Sequence, residues 1–138
     1  MDTIKGKDKV KDFIKPPVIQ ISAKMTVLEA CKRMKKYEVG AILVTEGKKY
    51  VGIFTETDLL KKVVARNDFP GSTLVFTVMT KTLLHIESEE SMVAAFLKMQ
   101  ERRIRHLVVK ENGNIVGVLS IKDVAKYYVH KFSKSKLT

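Results

Sequence analysis

The feature that most constrains this chain is that it repeats itself. Val51-Gly52 recurs as Val116-Gly117, and the same shift of 65 positions, without a gap, pairs Ile21 with Ile86, Ala30 with Ala95, Met34 with Met99, Val44 with Val109, Asp58 with Asp123 and Lys61 with Lys126. A fixed period of this kind means two copies of one supersecondary unit. A copy of roughly 60 residues forms only a marginal core alone. The two are therefore expected to pack together as one globule with a pseudo-twofold axis. At 138 residues and 45% hydrophobic composition, the chain has enough apolar material for that core and is not a disordered segment.

Each copy reads as β-α-β-β-α. An extended stretch (18–21; 83–86) leads into a helix with apolar residues at i, i+3, i+4 and i+7: Val27, Ala30, Cys31, Met34 in the first copy and Met92, Ala95, Phe96, Met99 in the second. Thr26 with Glu29 spells a capping box, and Ser91 stands where Thr26 does. Short apolar runs at 41–45 and 106–109 suit buried strands. Turn residues follow, Glu46-Gly47 and Asn112-Gly113-Asn114, and then third strands at 50–54 and 115–119. A closing helix is expected to bury Leu59, Leu60, Val63 and Val64 in the first copy and Val124, Ala125, Tyr128 and Val129 in the second. Arg66-Asn67-Asp68-Phe69-Pro70-Gly71-Ser72 is loop chemistry. The predicted class is α/β, with repeats at 7–65 and 75–132, a linker at 66–74 and a basic tail at 133–138.

Several function classes have no support in the residues. The apolar runs, such as 39–44, fall far short of the about 20 residues a membrane helix needs. The Lys- and Asp-rich start lacks the apolar region of a secretory signal. Cys31 is the single cysteine, with no disulfide partner and no metal-ligand spacing around it, which points to a reducing, cytoplasmic setting. Neither G-x-x-x-x-G-K-[ST] nor G-x-G-x-x-G occurs. His85 and His130 have no acidic or thiol companions for a zinc site or a catalytic triad, and His85 reads as a strand residue. The expectation is a non-enzyme without catalytic cofactor or metal. Its 26 Lys and Arg against 15 Asp and Glu, a net charge of +11, either attract an anion (nucleic acid, nucleotide phosphates or an acidic lipid surface) or serve only to keep the chain soluble.

Two further segments carry chemistry. Val51-Gly52-Ile53-Phe54-Thr55-Glu56-Thr57-Asp58 and Val116-Gly117-Val118-Leu119-Ser120-Ile121-Lys122-Asp123 both run from a glycine through two hydrophobic residues to Thr/Ser-x-x-Asp. With the short lead-ins Val10-Lys11-Asp12-Phe13-Ile14 and Val75-Phe76-Thr77-Val78-Met79-Thr80, this arrangement resembles a tandem pair of CBS domains over nearly the whole chain. The resemblance implies a regulatory module binding an adenosyl ligand (AMP, ADP, ATP or S-adenosylmethionine) in clefts between the copies. It also implies a homodimer that signals occupancy to a regulated partner protein.

The resemblance makes Asp58 a ribose ligand, with Thr55 and Thr57 offering hydroxyls, and gives Ser120, Lys122 and Asp123 the matching places in the second copy. Arg105 and His106 match the basic pair that meets phosphates opposite the other copy's Asp, so they pair with Asp58. Gly40 and Ala41, which carry no cation, would face Asp123. Lys15, Pro17 and Val18 of the lead-in would wall the base. From the residues alone the Thr/Ser-x-x-Asp spacing equally describes a helix capping box. Arg105 suits phosphate through its planar fork, and His106 as a donor that titrates near neutrality. The alternative function is nucleic-acid or adaptor binding, resting on the net charge, the lysines at 5–15 and the base-and-aromatic segment 126–136.

Overall fold

The computed structural model describes residues 8–137, with side chains to Ser133. The start of the first repeat at residue 7, Lys5 before it and the side chains of the basic tail from 134 on lie outside the described residues. The backbone of the tail continues the last helix as far as Leu137.

Both copies build the same three-stranded sheet. In the first, β1 (Gln20–Ser22) runs parallel to β2 (Ala41–Glu46), which pairs antiparallel with β3 (Lys49–Thr55). In the second, β4 (His85–Glu87), β5 (His106–Glu111) and β6 (Asn114–Ser120) repeat this order. The registers agree position by position: Ala41 faces Thr55 as His106 faces Ser120, and a bulge follows Val44 as it follows Val109. The hairpins turn at Gly47 (φ 62°) and at Asn112-Gly113 (φ 52° and 81°), residue types that tolerate the left-handed region.

Helix α1 (Val27–Tyr37) starts at the Thr26–Glu29 capping box, and α2 (Glu56–Leu59) continues as a π-helical turn over Leu60–Val64. After the short α3 (Val75–Val78) come α4 (Met92–Arg102), capped by Ser91, and the long α5 (Ile121–Leu137). A long cation ties each central helix to the first strand at matching positions. Arg33 donates to the Gln20 carbonyl and Lys98 to that of His85.

The closing helices bury a different face from the one the periodicity suggests. Leu60 and Val64 are 61% and 59% exposed, whereas Asp58 and Val63 are buried. The wider π turn follows an i to i+5 spacing, which sets 58 and 63 on one side. In α5, Val124 and Tyr127 are buried and Tyr128 packs partly against them, while Ala125 and Val129, one helical turn apart, share the exposed side. His85 is a half-exposed strand residue that, against the sequence expectation, has an acidic companion, since its Nε2 lies 3.2 Å from Glu87 Oε2 two residues along the strand; Cys31 is half-buried against the first core, where burial pushes its thiol up.

The chain divides into two compact units whose limits differ from the repeat. One is Val18–Leu83; the other joins the segment ending at Pro17 to the stretch beginning at Leu84. Each lead-in thus serves the unit of the other copy. The amide of Val75 donates to Met25 and that of Val27 to Thr73; in the other unit Val10 donates to Glu90 and Met92 to Asp8. Phe13 then stacks edge-on against Tyr127. The cores follow this division: Val75 and Val78 join Ile21, Met34, Ile42 and Phe54, and Val10 joins Ile86, Met99, Leu107 and Leu119. No helix among the described residues is long and apolar enough to cross a membrane.

The Val-Gly pair of each copy has its reason here, because the lead-in crosses over it. A Cβ on Gly52 would lie 2.6 Å from Met79 Sδ and 2.8 Å from the Thr80 carbonyl oxygen. For one on Gly117 the three nearest atoms all belong to the Ile14 side chain, the first at 3.1 Å. Gly52→Ala is therefore expected to lower unfolding stability by about 1–3 kcal/mol in urea titration, and Gly117→Ala by less, since a side chain yields more easily than a backbone carbonyl.

Glu89 holds down the Val10 lead-in by bridging Lys9 and Lys11. The hydrogen bond from Lys11, then that from Lys9, bring its carboxyl down from 4.5 to about 2. A depressed carboxylate stabilises the fold above its unfolded value. That contribution is complete above about pH 4.5 and is lost as the pH falls towards 2. In Glu89→Gln the urea midpoint should lose that part of its acid dependence while retaining the rest.

Candidate functional site

The Thr/Ser-x-x-Asp segments sit where a strand ends and the closing helix begins. Main-chain bonds fix this corner identically in both units: the amide of Glu56 donates to the Gly40 carbonyl at 3.0 Å, and that of Ile121 to the Arg105 carbonyl at 2.8 Å. The start of the middle strand is thereby held against the first turn of the helix.

Both corners form the capping box that the spacing allows. Thr55 Oγ1 accepts from the Asp58 amide at 3.2 Å, and Asp58 Oδ2 accepts from the Thr55 amide at 3.0 Å. Ser120 Oγ accepts from the Asp123 amide at 3.1 Å, and Asp123 Oδ2 from the Ser120 amide at 2.8 Å. A cap of this geometry occupies one carboxylate oxygen and leaves the other available.

The two remaining oxygens differ. Asp58, 4% exposed, receives Lys62 Nζ on Oδ1 at 2.9 Å and the Thr80 hydroxyl at 2.8 Å. Thr80 also lies 3.1 Å from Oδ2. Asp123 is half-buried, and its Oδ1 makes no hydrogen bond or ion pair with any other described residue. Copy-equivalent carboxylates are thus closed in one unit and open on one side in the other.

The other candidates are distributed as follows. Val18, Gly40, Ala41, Thr55, Thr57 and Asp58 belong to the Val18–Leu83 unit; Lys15, Pro17, Arg105, His106, Ser120, Lys122 and Asp123 belong to the other. Within one unit, then, the structure brings Arg105 and His106 to Ser120 and Asp123, His106 facing Ser120 across the β5–β6 ladder. Gly40 and Ala41 come to Thr55 and Asp58 in the same way. Lys15, Pro17, Thr57, Arg105 and Lys122 are exposed, Val18, Gly40 and His106 half-buried, and Ala41 buried.

Thr80 and Lys62 join the site from outside the Thr/Ser-x-x-Asp motif. Lys62 was legible, since a lysine one helical turn after an aspartate pairs with it. Thr80 was not, because it arrives on a lead-in from 22 residues away.

The family model for the CBS domain matches residues 10–65 and 75–130. The CBS domain-containing protein CBSCBSPB2 of Arabidopsis thaliana is 34% identical over 117 residues, 84% of this chain but 22% of the plant protein's length. Two solved structures share the fold. The CBS-domain containing protein ATU1752 from Agrobacterium tumefaciens superposes with a TM-score of 0.81 at 28% identity, covering 91% of this chain and 96% of that one. The CBS domain protein PAE2072 from Pyrobaculum aerophilum, complexed with AMP, gives 0.74 at 27% identity, covering 83% and 88%.

Proposed function

The chain belongs to the CBS domain family, with two copies of the domain, and on that premise we propose that it is a regulatory, non-catalytic module that binds an adenine nucleotide and passes occupancy to a partner protein. The observation that carries this reading is the open Oδ1 of Asp123 at a corner shared with Ser120, Arg105 and His106. An ionised carboxylate oxygen with free lone pairs accepts from a ribose hydroxyl in a charge-assisted bond. Arg105, exposed and always charged, offers a planar fork to phosphate oxygens, and His106 and Lys122 stand on the same corner. Lys15 and Pro17 belong to this unit's lead-in and supply a wall for the base. The relative that holds AMP supports the ligand class.

Exposed apolar side chains on the closing helices, Leu60 and Val64 on one and Val129 and Phe132 on the other, support a homodimer as the form in which the module acts.

Calorimetric titration tests the ligand. AMP is expected to bind the wild-type chain, and Asp123→Asn to weaken it roughly 10- to 100-fold, the worth of one hydrogen bond to a charged group. An adenine-independent response, or one that Asp123→Asn leaves untouched, would reject the reading. Light scattering tests the assembly: the wild type should show twice the chain mass, and Leu60→Glu with Val64→Glu a single chain.

A further inference from the structure

The two copies of the Thr/Ser-x-x-Asp corner differ in one respect that bears on how many ligands the chain takes. We infer that Lys62 and Thr80 form an internal lock on Asp58, so that the Val18–Leu83 unit withholds its carboxylate from ligand and only Asp123 serves one. This deepens the nucleotide-binding reading above and rests on it.

The lock is built from three directions. The Asp58 carboxylate accepts from the Thr55 amide within its own cap, from the Thr80 hydroxyl on the segment after α3, and from Lys62 one turn along its own helix. A carboxylate offers about four lone-pair positions, and donors to both oxygens occupy most of them. Burial makes the arrangement hard to open. The Asp58 side chain is 5% exposed and that of Lys62 33% exposed, so a ligand hydroxyl must displace a charged donor at little gain in solvation.

The residues that make the lock are missing from the other copy. Shifted by the repeat, Lys62 falls on Tyr127 and Thr80 on Lys15. Tyr127 carries no cation, and its hydroxyl is turned away to donate to Asp8. Lys15 is exposed rather than bonded to Asp123. Two substitutions in the repeat thus convert a shared structural corner into one closed and one open carboxylate.

Titration of the full-length chain with AMP, read as stoichiometry, tests the lock. The wild type should take one AMP per chain. Asp58→Asn should keep that affinity within about twofold, whereas Asp123→Asn abolishes most of it. Lys62→Met with Thr80→Val, which leaves Asp58 in place and frees Oδ1, should add a second binding event. Two AMP in the wild type, equal losses from the two aspartate variants, or one AMP still in the double variant would each overturn the proposal.

A ligand-free measurement separates its failure from that of the nucleotide reading. Lys62→Met should lower the urea midpoint of the wild type and have no further effect once Asp58 is Asn. Equal losses in both backgrounds would overturn the lock. Absence of AMP binding by the wild type, with this coupling intact, would instead overturn the reading on which it rests.

Discussion

The carboxylate at the first turn of each closing helix is where folding and recognition draw on the same atoms. One of its oxygens is committed to the cap, because the amide at the strand end would otherwise be left without a partner as the chain turns. What reaches the second oxygen is set by neighbours outside the motif. In one unit a lysine and a threonine arrive there, and in the other no described residue does. A capping motif and a binding motif are therefore one object in two states of completion.

The Asp58 corner depends in turn on its exchanged lead-in. Each short segment docks in the unit of the copy it does not precede, bringing main-chain bonds to the start of the central helix and apolar side chains to the core. In the Val18–Leu83 unit the same segment also pairs with β3 through Ile53 and Thr80 in both directions, which delivers the Thr80 hydroxyl to Asp58. The close passage explains why a glycine stands at position 52: the crossing backbone leaves no room for a Cβ. Removing the Val75–Thr80 lead-in would open the core and the Asp58 corner together.

Much of this was legible in the residues because it is local or periodic. The 65-residue shift is read by laying the sequence over itself, and the short apolar runs of the strands, the Thr26–Glu29 cap and the turn glycines depend on neighbours within a few positions. The π-helical turn after α2 was not, since it moves the buried side from Leu60 and Val64 to Asp58 and Val63 without any change in composition that announces it. Nor was the grouping of Arg105 and His106 with Asp123. That follows from the hydrogen bond between the strand start and the helix start, which joins residues 16 apart along the chain.

Read alone, the linear order of residues was enough to establish a duplicated α/β unit and a Thr/Ser-x-x-Asp corner in each copy, because a repeat is a match of the sequence with itself and a cap is written in short-range spacing. Which carboxylate stays open was decided by folding. Thr80 and Asp58 lie 22 positions apart and meet only when the lead-in crosses β3, whereas the partnership of Lys62 with Asp58 is already written in their i, i+4 spacing. Identical motifs acquire different chemistry when their surroundings come from distant parts of the chain.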